Sequence, residues 1–244
     1  VQREFQRAEE TQLRQNAERL QALVDHGLKQ LNIKAADWAF WDDTYNFLNS
    51  RSRNYIRSNL QVINLESLGV VQIAYWNLNK ALVHRMWRET GVNAASHLEQ
   101  ATEQLSKLVK ENKRPLDLNF QRRGVIAASN RVYFYVMLPI LTSERRGPGN
   151  GVMAFLQEID SELLAGYSSL LRQPVRWVRF NLARSVPMFA RAAQNLKNSP
   201  YALRRLSPDI AMSYYRLDDL NGKPALIIAS VFNRTVYRQV ATAK

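Results

Sequence analysis

Within Asp37-Trp38-Ala39-Phe40-Trp41-Asp42-Asp43-Thr44-Tyr45-Asn46-Phe47 the chain sets three carboxylates among two tryptophans and a tyrosine. Paired carboxylates are the raw material of general acid–base catalysis. Neighbouring helix positions point about 100° apart, however, so Asp42 and Asp43 are badly placed to address one substrate atom. At the helical period Trp38, Trp41, Tyr45 and Leu48 share a face, with Asp42 and Asp43 beside it. One use of that face is a core seam, because large aromatics supply much of a core's buried area. The other is a pocket wall, in which a carboxylate held among aromatics meets a ligand or ties the helix to a basic residue on a strand.

A sheet must stand opposite. Val70 to Trp76 and Ala81 to Trp87 read as a hairpin about the turn Asn77-Leu78-Asn79-Lys80, with Val71, Ile73 and Tyr75 on one face. In the second strand Val83, Arg85 and Trp87 alternate with Leu82, His84 and Met86, so an inward face holds either Arg85 or His84. A buried arginine needs a partner, and Asp42 is the one the acidic helix offers. Gly124 to Ala128 and Arg131 to Leu141 form another hairpin about Ser129-Asn130. There Tyr133, Tyr135 and Met137 oppose Val132, Phe134, Val136 and Leu138, an apolar character on both faces that marks a covered, central strand.

Other chemistries find no support. No cysteine is present, which excludes disulfides, thiolate zinc sites and a thiol nucleophile. His26, His84 and His97 stand apart, at no metal-ligand spacing, and His97 reads as a surface residue. Arg145-Arg146-Gly147-Pro148-Gly149 lacks the lysine and spacing of a phosphate loop and is read as a turn. No nucleophile elbow appears. The expectation is a chain with no catalytic residue, no metal and no cofactor.

Thirty-four Lys/Arg against twenty-one Asp/Glu give a net charge of +13 and a pI near 10.2, a balance that points first to nucleic acid. From Arg172 onward thirteen Lys/Arg meet three Asp/Glu, so +10 of the +13 lies in the last third. The arginines are spread over strands, loops and helices without a recognition-helix pattern, which makes nucleic acid the weaker partner. Anionic lipid headgroups are another use of the same charge, each cation adding about 1 kcal/mol.

The remaining elements follow from periodicity. Leu13, Ala17, Leu20, Val24, Leu28 and Leu31 give residues 1 to about 31 the narrow stripe of one long helix, with Gly27 as a place for a bend. Ser52 or Ser58 restarts a short helix. Ser96-His97-Leu98-Glu99 is a capping box for a helix to about Asn112. Gly151 to Gln157 is a strand, Asp160 caps a helix through Leu171, and Val175 to Phe180 is a strand. Helical stretches are expected about Val186 to Leu196 and Pro200 to Leu206. Strands Ile210 to Leu217 and Ala225 to Phe232 and a closing helix from Asn233 to Val240 end the chain. No internal repeat is seen.

The aromatic segment resembles the signature of the fourth type of CHASE domain, in which an Asp-Trp-Ala-x-Trp-Asp-Asp-x-Tyr run follows a long helix. Asp37, Trp38, Ala39, Trp41, Asp42, Asp43 and Tyr45 match it. Asn59-Leu60, Leu68-Gly69, Pro139-Ile140-Leu141, Gly147-Pro148, Gly151 and Asn233-Arg234-Thr235-Val236-Tyr237 resemble further landmarks. The hairpin turn departs, since relatives commonly carry Asp and Gly there. The resemblance implies an α+β fold, a Cache/PAS-like antiparallel sheet sensor domain with a long N-terminal helix and flanking helices. It also implies a division into a signalling helix (1–36), a sensor core (37–180) and a completing C-terminal part (181–244).

Such domains lie in the periplasm between two membrane spans of an inner-membrane protein, ahead of GGDEF and EAL domains that make or break cyclic di-GMP, or ahead of a histidine kinase. The expected partners are a small-molecule ligand or an envelope component, a second copy of the chain, and membrane lipids near the termini. Combined with the strand faces, the ligand-binding candidates are Trp38, Trp41, Asp42, Tyr45, Tyr75, Arg85, Tyr133 and Tyr135. The alternative function is a basic module for nucleic acid, anionic ligands or lipid.

Overall fold

The computed structural model describes residues 2–112 and 120–235. Its contacts fall into two units, one taking the chain to His26 and from Asp160 onward, the other running Gly27–Ile159. A single helix, α1 (Gln2–Ala39), supplies residues to both. Gly27 does not interrupt it. The predicted stripe is buried at Leu13, Ala17, Leu20, Val24 and Leu31 and continues through Ala35 and Ala39.

In the unit Gly27–Ile159, three short helices follow: α2 (Asp42–Ser50), α3 (Arg53–Asn59) and α4 (Val62–Leu68). Ser52 caps α3, its hydroxyl accepting the Tyr55 N–H. Strands β1 (Gln72–Asn77) and β2 (Leu82–Trp87) precede α5 (Ala94–Glu111), and β3 (Arg122–Ala128), β4 (Arg131–Pro139) and β5 (Gly151–Glu158) complete an antiparallel sheet of order β2-β1-β5-β4-β3. Both predicted hairpins form, and β4 is interior as its two apolar faces required.

Residues paired across antiparallel strands share a face, so a few contacts orient the whole sheet. The Gln72 side chain donates to Thr102 of α5 and the Trp76 indole to Ser106 of α5, which turns Gln72, Ala74 and Trp76 toward that helix. Ile73 and Tyr75 face the other way, toward α2 and α3. The capping box does not start α5: the helix begins at Ala94 after Asn93 in the left-handed region, and His97, expected at the surface, is buried. Four residues before Ala101, His97 lies on the buried stripe of α5 with Leu98 and Leu105.

In the other unit, α6 (Ser161–Leu171) starts from Asp160, whose carboxylate accepts the Leu163 N–H. Then come β6 (Val175–Arg179), a 3-10 turn (Phe180–Ser185), α7 (Pro187–Asn195), β7 (Tyr201–Arg205), β8 (Ile210–Asp218) and β9 (Pro224–Asn233), in a second antiparallel sheet of order β6-β9-β8-β7. Strand β6, assigned by sequence to the stretch 37–180, therefore pairs with β9. The stretch Pro200 to Leu206, read as helical, is strand: Tyr201, Leu203 and Arg205 register against Tyr215, Ser213 and Ala211 of β8, and that pairing overrides a weak local preference. Asn233, expected to open a closing helix, is the last residue of β9, and the rest of that helix from Val236 lies outside the described residues.

One face of this sheet packs Met212, Tyr214, Ile227 and Ala229 with Phe189, Ala192 and Leu196. On the opposite face Ser213 donates to the Leu13 carbonyl of α1. Near the start of α1, buried Glu9 is ion-paired with Arg205 of β7 and with Arg234, just past β9. Among the described residues no helix is long and apolar enough to cross a membrane.

Candidate functional site

The aromatic–acidic stretch is not one helix. Trp38 lies in the last turn of α1, the helix stops at Ala39, and Trp41 has extended backbone at the start of α2. The reason is a competing bond: the Leu141 N–H, arriving from the segment after β4, takes the Ala39 carbonyl at 3.0 Å. Asp42 then begins a new helix whose first turn carries Asp42 and Asp43, where carboxylates suit the positive end of the backbone dipole.

The break is fastened to the β4–β5 connection. Asp42 accepts the Ser143 N–H at 2.9 Å, Asn150 donates its side-chain amide to the Tyr45 carbonyl at 2.6 Å, and the Tyr45 hydroxyl donates to the Pro148 carbonyl at 3.3 Å. The Arg145 guanidinium lies 4.9 Å from the centre of the Phe40 ring. The pairing expected between Asp42 and Arg85 does not form. Asp42 is exposed and occupied by the loop, while Arg85 lies 4.7 Å over the ring of Trp87.

The eight ligand-binding candidates fall on two faces of the first sheet. Trp38 meets Phe155 of β5 edge-on at 6.3 Å, and Phe155 is paired with Ile73. Trp38, Trp41, Tyr45 and Tyr75 thus gather with Asp42 on the α2 side. Arg85 pairs with Ala74, and Tyr135 with Leu156, itself paired with Gln72, so Arg85, Tyr133 and Tyr135 belong to the α5 side. Period-two alternation placed each side chain correctly within its own strand. Only the register between strands decides which strand faces coincide.

On the α2 side, a cleft of about 590 Å³ opens between α2 and α3. Its wall combines the rings of Trp41, Phe47 and Tyr55 with Asp43, Asn46 and Asn59. Asp43 is its single charged group, and Asp43, not Asp42, is the motif carboxylate that reaches it. Phe47 stacks on Tyr55 at 4.5 Å and meets Tyr75 edge-on at 5.5 Å. Below the rings runs a buried line of hydroxyls, Thr44 to Tyr55 at 2.8 Å and Tyr55 to Tyr75 at 3.3 Å, which carries hydrogen bonding from the cleft wall to β1. Burial pushes the Tyr55 phenol above its ordinary value despite its two hydroxyl partners, with nearby Asp43 adding to the rise. Burial raises Tyr75 further, so both phenols are neutral donors at ordinary pH.

Sequence reading missed Tyr55 and Phe47 as members of this cleft and Asn150 as the residue that ties α2 to the β4–β5 connection. Tyr55 carried one signal, its place three residues after the Ser52 cap; Asn150 carried none.

The α5 side has its own cleft of about 520 Å³, between β2 and α5, lined by Arg85 together with Glu99, Glu103 and Lys107. Tyr133 and Tyr135 are buried nearby in the sheet and do not line it. Burial raises the phenols of both. Among the described residues no group of His, Asp and Glu side chains could hold a metal ion.

The CHASE4 domain model matches residues 23–177. The methanogenesis regulatory histidine kinase FilI of Methanothrix harundinacea (strain 6Ac) is 23% identical over 233 residues, 93% of this chain; the chain spans 25% of the kinase. The periplasmic domain of Vibrio cholerae LuxQ superposes with a TM-score of 0.53 at 13% identity, over 90% of this chain and 97% of that domain. The extracellular domain of vpHK1S-Z8 does so at 0.51 and 10% identity, over 94% and 98%. At such identities the likeness is one of fold: mixed helix and antiparallel sheet behind a long N-terminal helix, the α+β architecture that the resemblance implied.

Proposed function

This chain belongs to the CHASE4 domain family, a sensor module rather than a catalytic domain, and from that premise we propose that it is the extracytoplasmic sensory part of an inner-membrane receptor, reading a small molecule in the α2–α3 cleft. One observation carries the choice of site. Trp41 lines the cleft, and its ring meets Trp38 of α1 edge-on at 6.4 Å, so an occupant of the cleft is one aromatic contact away from a helix that runs back to Gln2.

A ligand that prefers one setting of Trp41 shifts the population of α1 positions, and only its differential affinity does so. Helix displacements of about 1–2 Å are the ordinary currency of such switches. The receiving partner is taken to be a histidine kinase, the activity in the name of FilI, in preference to cyclic di-GMP synthesis or hydrolysis. Two copies side by side, on the periplasmic face of the membrane, complete the reading.

The test is a thermal-shift screen of the chain against amino acids, polyamines, organic acids and envelope fragments, repeated on Asp43→Asn and Trp41→Phe. The expected result is a compound that raises the melting temperature of the parent and not of the folded variants. Compounds that stabilise all three proteins equally would move the site away from this cleft.

A further inference from the structure

Between residues 163 and 208 the chain holds eight Lys or Arg and no Asp or Glu. The middle of that stretch is β6, the 3-10 turn and α7, and β6 is an edge strand, paired on one side only. Its burial does not alternate: Arg176 and Trp177 are consecutive and both exposed, Arg176 on the face that α7 covers, since it pairs with Ala229 of that core, and Trp177 on the opposite face. Leu182 in the turn and Met188 at the start of α7 are also exposed, at 40% and 38%, beside exposed Arg184 and Arg191. None of these three arginines is ion-paired among the described residues.

Two chemistries thus share one continuous segment, uncompensated guanidiniums and uncovered apolar side chains. A polyanion in water would use the first and leave the second idle. A bilayer interface uses both, because arginines meet headgroup phosphates while leucine and methionine enter the boundary below them. We propose that Arg176, Leu182, Arg184, Met188 and Arg191 form a docking surface for an anionic membrane, which holds this unit against the bilayer. The surface depends on the sensor reading only for the presence of a membrane. Its test needs no ligand, so failure here leaves the cleft reading untouched.

The test mixes the whole chain with sedimentable vesicles of phosphatidylcholine, alone or with phosphatidylglycerol, at about 0.15 M salt. The chain is expected to sediment with the phosphatidylglycerol vesicles and to remain in solution with phosphatidylcholine alone. Arg176→Gln, Arg184→Gln and Arg191→Gln each lower the partition coefficient about fivefold, the factor that corresponds to about 1 kcal/mol per surface cation. Leu182→Ser combined with Met188→Ser lowers the binding that survives at high salt, a loss that no charge effect produces. Melting temperatures, measured alongside, remain those of the parent because every altered side chain is at the surface. Equal binding to both vesicles, phosphatidylglycerol binding unmoved by the arginine changes, or displacement from the vesicles by a DNA duplex would each overturn the proposal.

Discussion

The two sheets follow one plan with one omission. The order β1-β5-β4-β3 of the first recurs as β6-β9-β8-β7 in the second, and the first alone adds β2 beyond its first strand. The same topological position is therefore interior in one sheet and an edge in the other. Strand β1, Gln-Ile-Ala-Tyr-Trp-Asn, carries no charge and is buried along nearly its whole length, whereas β6, Val-Arg-Trp-Val-Arg, carries two arginines and exposes its middle. Between the first and second strands of the plan in chain order, the first sheet spends a strand and the 18-residue α5, the second a short 3-10 turn and the 9-residue α7. Coverage, rather than topology, separates a sheet built around buried tyrosines from one that meets its surroundings.

The sharpest way to break this comparison is through two glycines. A Cβ added at Gly151 of β5 would stand 2.2 Å from the Trp76 carbonyl, at a φ of +157°. Gly151→Ala is expected to disrupt the β1–β5 edge by more than the about 1–3 kcal/mol of ordinary backbone strain, read as failure to fold or a large loss in denaturant midpoint. In the turn before β9, Gly222 has φ +73° with open space around it, so Gly222→Ala is expected to lose about 1 kcal/mol. Equal losses would mean that the close packing of the first sheet is not what distinguishes it.

Next in size is Glu9→Ala, which leaves Arg205 and Arg234 without their buried carboxylate. Removing one member of a buried pair costs about 3–5 kcal/mol, and urea denaturation is expected to show a loss near the lower end because Arg205 is partly exposed.

A pH titration comes third. Burial raises Tyr167 and Tyr214, both in the unit of the second sheet, from 10.0 to about 12. A raised phenol means that the folded state holds its proton more tightly, so the stability linked to it is complete below pH 10 and is lost as pH rises toward 12. Denaturation curves across that range are expected to fall steadily, and Tyr167→Phe to flatten the fall; an unchanged slope would remove Tyr167 from the account. The smallest expected effect is Asp42→Ala, which strips the acceptor from the Ser143 N–H and costs about 1 kcal/mol, with Asp42→Asn recovering most of it.

Much of this architecture could be read from the residues in order. The stripe from Leu13 to Leu31, the hairpin turns at Asn77–Lys80 and Ser129-Asn130, and the caps at Ser52 and Asp160 are local signals, and local chemistry decides them. What escaped reading was decided by distant partners. Helical spacing passes unbroken from Trp38 through Trp41 to Tyr45, and only the Leu141 N–H on the Ala39 carbonyl reveals that the helix ends between them. Strand periodicity shows that Tyr75 and Tyr133 each point to one side, but their registers against β5 set those sides opposite. For Pro200 to Leu206, a seven-residue stretch with weak preference took the conformation its neighbour β8 demanded. The candidate site was legible as a motif and illegible as a cavity, because Tyr55 and Asn59 enter it from outside the motif.

Glu9 bears on which displacements the second-sheet unit can tolerate. It fastens the opening turns of α1 to β7 and to the end of β9 at one buried point. A slip of α1 along its axis by one residue, about 1.5 Å, would draw the carboxylate away from both guanidiniums and strand a charge out of water. The start of α1 and the end of β9 are therefore tied at one point: a tilt of both as a block keeps the two ion pairs, and a slip of one along the other breaks them.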